Sequence, residues 1–170
     1  MKQENQIYWE QLTLPKWQLI VAATDTGICF IGSNYGEITE LENWIARKRP
    51  ASDLIREASK LTLYFEMLAN YLQGEQQSVD LPLDVQGTVF QEEVWRALTE
   101  IPYGQTVTYS EIAIKIERPD AVRAVGTAIG ANPVLILIPC HRVLGKNRKL
   151  TGYRGGLAMK KDLLGLEKGS

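Results

Sequence analysis

Between Gly74 and Gln86 the apolar pattern of the chain lapses. The stretch Gly-Glu-Gln-Gln-Ser-Val-Asp-Leu-Pro-Leu-Asp-Val-Gln is polar and holds a proline. Such a segment reads as a linker or an edge strand. The apolar spacing differs on its two sides, so the chain must change its manner of folding here. Its 170 residues are enough for one large domain or two small ones. We expect two: an N-terminal α/β domain over residues 1–80, a small antiparallel sheet with helices, and a mostly α C-terminal domain over residues 81–170.

Ahead of the divide, Ile7 to Leu14 and Trp17 to Ile31 are rich in β-branched and aromatic residues, and Asp25-Thr26-Gly27 interrupts the second run. This pattern predicts an antiparallel hairpin or meander. Leu54, Ala58, Leu61, Phe65, Leu68 and Leu72 recur at three- and four-residue steps, predicting one long helix that closes near Gly74. A shorter helix is expected around Leu41 to Arg47. Cys29 lies in an apolar run and reads as a small buried hydrophobe.

Beyond the divide, Thr88-Val89-Phe90-Gln91 fits a capping box that opens a helix through Trp95 and Leu98. Ser110-Glu111-Ile112-Ala113 opens a short helix, and Asp120 can cap another over Ala121 to Ala131. A helix pair joined by the turn at Pro119 resembles a helix-turn-helix. The second helix contains Gly126 and Gly130, each costing about 1 kcal/mol against alanine. Its small side chains permit close approach, to another helix or to a nucleic-acid groove, with Arg123 as its one long polar side chain.

Charge is unevenly shared. Residues 1–84 carry 7 basic and 12 acidic side chains, and residues 85–170 carry 12 basic and 8 acidic. The C-terminal third, residues 121–170, holds 9 basic and 2 acidic side chains, which points to a phosphate-bearing partner or to a solvated basic face. Two cysteines and one histidine are too few for a structural zinc site, so no metal is expected. The longest apolar run, Val134 to Ile138, is too short to cross a bilayer, and Met1 to Asn5 lack a signal pattern. A cytoplasmic protein without a disulfide is expected.

Asn132-Pro133 stops the small-residue helix, and Val134 to Ile138 reads as a buried extended segment. Pro139 stiffens the approach to Cys140. The only histidine, His141, follows immediately. A thiol becomes a strong nucleophile only as a thiolate, and an imidazole can take its proton. Adjacent side chains on an extended segment point apart, so the proton must pass through a water or the pair must sit in a turn. Glu167 is a candidate to orient the histidine. Taken alone, Cys-His is more often an inert pair.

The run Asn132 to Val143, with Pro139-Cys140-His141-Arg142-Val143 at its core, resembles the active-site signature of the O6-alkylguanine-DNA alkyltransferases. The likeness extends over residues 85–170, through Pro102 to Tyr109, Arg123 to Gly126, and Gly152 to Leu157 with Lys160. It implies stoichiometric transfer of an alkyl group from O6-alkylguanine, and from O4-alkylthymine, onto Cys140 after nucleotide flipping. His141 would take the thiol proton through a water, with Glu167 behind it. Asn132 would brace the turn, and Tyr109 and Lys160 would stabilise the leaving guanine. Arg123 would fill the gap in the base stack, while Ser110, Arg118 and Lys146 would meet the DNA backbone. Val143, Tyr153, Arg154 and Gly155 would wall the pocket. Leu135 and Arg154 stand where some relatives have proline and serine. The expected partner is double-stranded DNA, bound by a monomer with no cofactor and no membrane.

Two other readings compete. A non-catalytic protein that only recognises alkylated DNA would lack the nucleophile, and Cys140 counts against it. A cysteine hydrolase of small molecules would leave the basic third unexplained.

Overall fold

The computed structural model describes residues 5–169. Met1 to Glu4, most of the stretch read for a signal pattern, lie outside the described residues. The chain separates into two compact units, Met1–Val85 and Gln86–Ser170.

In the first unit, strands β1 (Gln6–Leu14), β2 (Trp17–Ala23) and β3 (Ile28–Ile31) form an antiparallel meander. The hairpin closes at Pro15-Lys16, with Leu14 opposite Trp17. Helix α1 (Ile38–Lys48) crosses the sheet to β4 (Asp53–Arg56), which pairs parallel to β1. The sheet order is therefore β3-β2-β1-β4, and the sheet is mixed. Its covered face buries Ile7, Ile20, Ala22 and Phe30 against Leu41, Trp44 and Ile45 of α1. Cys29 is fully buried in this core, and burial pushes its thiol up to about 12.

The expected long helix does not form as one piece. Leu54 lies in β4 opposite Ile7, and residues Ala58–Lys60 make a 3₁₀ turn. Only Thr62–Leu72 is α-helix, α2. The segment Asp53–Arg56 holds only two apolar residues, Leu54 and Ile55, too few to fix either periodicity. The free edge of β1 decides, because its backbone groups need partners and Asp53–Arg56 supplies them.

The polar stretch after α2 ends as an edge contact. Ile28 donates to the Pro82 carbonyl at 3.0 Å, and Asp84 donates to the Ile28 carbonyl at 2.8 Å. A side chain on Gly27 would collide with the Pro82 backbone, so glycine is required there. Arg49 and Thr24 bond the Asp84 carboxylate at 3.1 and 2.6 Å.

The second unit begins with helix α3 (Val89–Thr99), whose Thr88–Gln91 capping box forms as expected. A second capping box, Thr108–Glu111, starts α4 (Tyr109–Lys115) one residue before Ser110. Helix α4 ends in a Schellman motif. Arg118 N–H bonds the Ala113 carbonyl, Glu117 N–H bonds the Ile114 carbonyl, and Glu117 takes φ 62°.

Helix α5 (Val122–Gly130) follows, but Asp120 does not cap it; the N-cap is Ala121, with no side-chain bond. One face of α5 buries Val125, Ala128 and Ile129, and Trp95 Nε1 donates to the Ala128 carbonyl at 2.8 Å. The short strands β5 (Val107–Thr108) and β6 (Val143–Leu144) pair in parallel, and α6 (Leu157–Lys168) closes the unit.

Candidate functional site

The residues leading to Cys140 are buried but not extended. Ile136 has φ 75°, Leu137 N–H bonds the Leu135 carbonyl, and Ile138 N–H bonds the Val134 carbonyl. The run is a compact turn because it must reverse direction between Asn132 and Cys140. The Asn132 side chain organises that reversal. Its Oδ1 accepts from Val134 N–H at 2.9 Å, and its Nδ2 donates to the Ile138 carbonyl at 2.9 Å and to Cys140 Sγ at 3.2 Å. Asn132 is itself fully buried.

Pro139, at φ −78° and ψ 62°, forms an inverse γ-turn in which Cys140 N–H reaches the Ile138 carbonyl at 2.7 Å. Residues Cys140–Arg142 then wind into a 3₁₀ turn. This turn, not a strand, separates the thiol from the imidazole.

His141 points to Glu167 on α6, with Nε2 2.8 Å from the carboxylate. The same carboxylate accepts Arg142 Nε at 2.9 Å, Arg142 Nη2 at 2.8 Å and Gly104 N–H at 3.2 Å. Arg142 Nη1 donates to the Ile101 carbonyl at 2.7 Å. A carboxylate so loaded with donors is an acceptor, so Nε2 carries the imidazole proton. Nδ1 is left as a buried acceptor with no hydrogen-bond partner among the described residues. Burial holds His141 below its usual 6.5, although Glu167 pulls the other way, so the ring is neutral.

Sequence alone assigns Arg142 no role. Its signal was a lone cation inside an apolar run, where a buried guanidinium demands a buried carboxylate.

Burial raises the Cys140 thiol above 9.0, against the Asn132 hydrogen bond and the positive charges of Arg154 and Lys160. Lys160 is fully buried, and Nζ donates to the Thr151 and Gly152 carbonyls at 2.9 and 3.4 Å. Burial lowers its pKa, opposed by Cys140. Arg154 turns to the Asn132 and Pro133 carbonyls, each at 3.0 Å. Tyr153 is half-buried. A side chain on Gly155 would strike Met159 Sδ at 2.6 Å and the Tyr153 ring at 2.8 Å. Val143 exposes no surface and pairs with Val107.

A separate set of expected residues surrounds an open groove of about 660 Å³. Tyr109 and Ser110 come from α4, Arg123, Gly126 and Thr127 from α5, and Lys146 from the loop after β6. Gly126 leaves ordinary contact distance, 3.8 Å, between a would-be Cβ and the Tyr109 ring. Arg118 does not line this groove; it pairs with Glu93 at 3.2 Å and lies over the Phe90 ring. The structure thus brings Cys140, Asn132, His141 and Glu167 into one hydrogen-bonded cluster. It assembles Tyr109, Ser110, Arg123 and Lys146 around the groove.

The family model described as "6-O-methylguanine DNA methyltransferase, ribonuclease-like domain" matches residues 7–85, and "6-O-methylguanine DNA methyltransferase, DNA binding domain" matches residues 89–169. An inducible methylated-DNA–protein-cysteine methyltransferase of Bacillus subtilis is 51% identical over 95% of this chain and 90% of its own. A methylated-DNA–protein-cysteine methyltransferase of Methanosarcina barkeri is 42% identical over 95% and 97%. Among solved structures, Mycobacterium tuberculosis OGT in complex with DNA superimposes with a TM-score of 0.81 at 36% identity, covering 96% of this chain and 93% of that one.

Proposed function

The chain belongs to the 6-O-methylguanine DNA methyltransferase family, and on that premise we propose that it repairs alkylated DNA by moving the alkyl group of O6-alkylguanine onto its own Cys140. The observation that supports this most is the buried thiol held by Asn132, next to a neutral imidazole whose Nδ1 is open to receive a proton.

The duplex binds through the groove between α4 and α5, with Arg123 entering the base stack as the damaged nucleotide swings out. Ser110 and Lys146 hold phosphates. The thiol proton passes through a water to His141 Nδ1, and Glu167 stabilises the imidazolium. The thiolate then attacks the alkyl carbon. An S–C bond forms as the C–O6 bond breaks, and the departing guanine takes a proton from the Tyr109 hydroxyl, with Lys160 steadying the developing charge.

The thioether has no carbonyl for water to attack, so each molecule acts once. Residues 81–170 supply these groups. The chain works in the cytoplasm as a monomer without a cofactor; among the described residues, no helix is long and apolar enough to cross a membrane.

Incubation with duplex DNA bearing O6-methylguanine should add one methyl group, located by peptide mass spectrometry at Cys140. An unchanged mass in folded, reduced protein would overturn the reading.

A further inference from the structure

We propose that Arg154 is a positioning residue for alkyl transfer: by donating to two consecutive backbone carbonyls, those of Asn132 and Pro133, its guanidinium holds the turn from which the Asn132 amide reaches the Cys140 sulfur. The proposal rests on Cys140 being the alkyl acceptor. It gives Arg154 work beyond walling a pocket.

The geometry is a relay of bonds across the unit. Arg154 lies in the loop before α6 and reaches back more than twenty residues to the end of α5. Asn132 and Pro133 are buried, so their carbonyls need donors from within the protein. Two neighbouring carbonyls suit a planar fork with fixed N–H directions, which a lysine ammonium cannot reproduce. The Asn132 side chain, launched from the same turn, spends its donors on Ile138 and on the sulfur. Any swing of the turn therefore moves the amide off Cys140.

Charge acts in the same direction. The charges acting on the thiol are those of Arg154 from the loop and Lys160 from α6, while His141, next in the chain, is neutral. Both cations favour the thiolate against burial. Arg154 thus supplies charge directly and a hydrogen-bond donor through Asn132.

The test uses the full chain, with and without DNA. Iodoacetamide labelling of Cys140 in the DNA-free protein, followed against pH, reads the thiolate without involving repair. Arg154→Met should label about tenfold more slowly than the parent at the same pH, as the loss of a favourable charge raises the thiol pKa further. Its single-turnover methyl transfer should fall by at least as much, while affinity for undamaged duplex stays within about twofold. Arg154→Lys, which keeps the charge but not the fork, should fall between the parent and Arg154→Met in both labelling rate and methyl transfer. If Arg154→Met does not fold, Arg154→Gln, neutral and able to donate to one carbonyl, takes its place with the same expectation. Labelling at the parent rate in the neutral variant, with only methyl transfer impaired, would reduce Arg154 to a pocket wall and overturn the proposal. If the parent labels normally but accepts no methyl group, the functional reading fails while the labelling comparison still decides Arg154.

Discussion

Cys140 is held in its resting, protonated form. Only 3% of it is exposed, and burial outweighs the Asn132 bond and two nearby cations. The sign is direct: below the raised pKa, each added pH unit multiplies the thiolate fraction about tenfold. Alkylation of Cys140 by iodoacetamide in the free protein should therefore climb steadily from neutral to alkaline pH, with no plateau by pH 9.0. Cys29, pushed to about 12, should stay unlabelled over that range. A plateau for Cys140 near neutrality would show that the thiol ionises far more easily than its burial implies. Glu167 is the other residue on which the site depends. Four donors converge on its carboxylate, two of them from buried Arg142. Glu167→Gln leaves that guanidinium short of its counter-charge, and should cost about 3–5 kcal/mol in urea unfolding. A loss under 1 kcal/mol would mean that water enters and replaces the carboxylate.

At the scale of elements, α5 serves two surfaces. Val125, Ala128 and Ile129 face the core, while Arg123, Ala124, Thr127 and Gly130 remain exposed. The helix-packing reading of its small residues holds on the inner face, where Trp95 packs, and the outer face lines the open groove. Nothing lies within 4 Å of a would-be Cβ on Gly130. Gly130→Ala should then stabilise the fold by less than about 1 kcal/mol, because Gly130 is the last residue of α5 and the full propensity difference belongs to a helix interior. Thermal unfolding checks the gain. A simultaneous fall in DNA affinity would identify this face as the one that meets the groove floor of the duplex. The two capping boxes were legible in sequence to different degrees. Thr88–Gln91 is legible as a box, while the Thr108–Glu111 box is not, because Ser110 is itself a good cap and draws the expected helix start to it. The β4 strand was missed because its apolar residues match a helical step until β1 is there to pair with them.

Across the whole molecule, charge divides with the two units. Residues 1–84 sum to −5 and residues 85–170 to +4, from 7 − 12 and 12 − 8. The basic side chains at the groove are Arg123 and Lys146. Affinity for DNA should fall steeply with salt. Neutralising Lys146 alone should reduce the slope of log affinity against log salt by about one, without altering sequence preference. Titrations of Lys146→Met between low and physiological salt measure this, and an unchanged slope would place Lys146 away from phosphate.

By itself, the sequence determined the thiol, its imidazole neighbour, the start of α3 with its Thr88–Gln91 cap and the uneven charge. These depend on residues a few positions apart, whose contacts hardly vary with the rest of the fold. Only the tertiary structure decided that Asn132 holds the sulfur, that Arg142 and His141 share Glu167, and that Arg154 returns to the end of α5. Those bonds join residues 8 to 26 positions apart. Their partners are selected by burial: a polar group enclosed by packing must take whichever complementary group the fold delivers, and no spacing rule names it in advance.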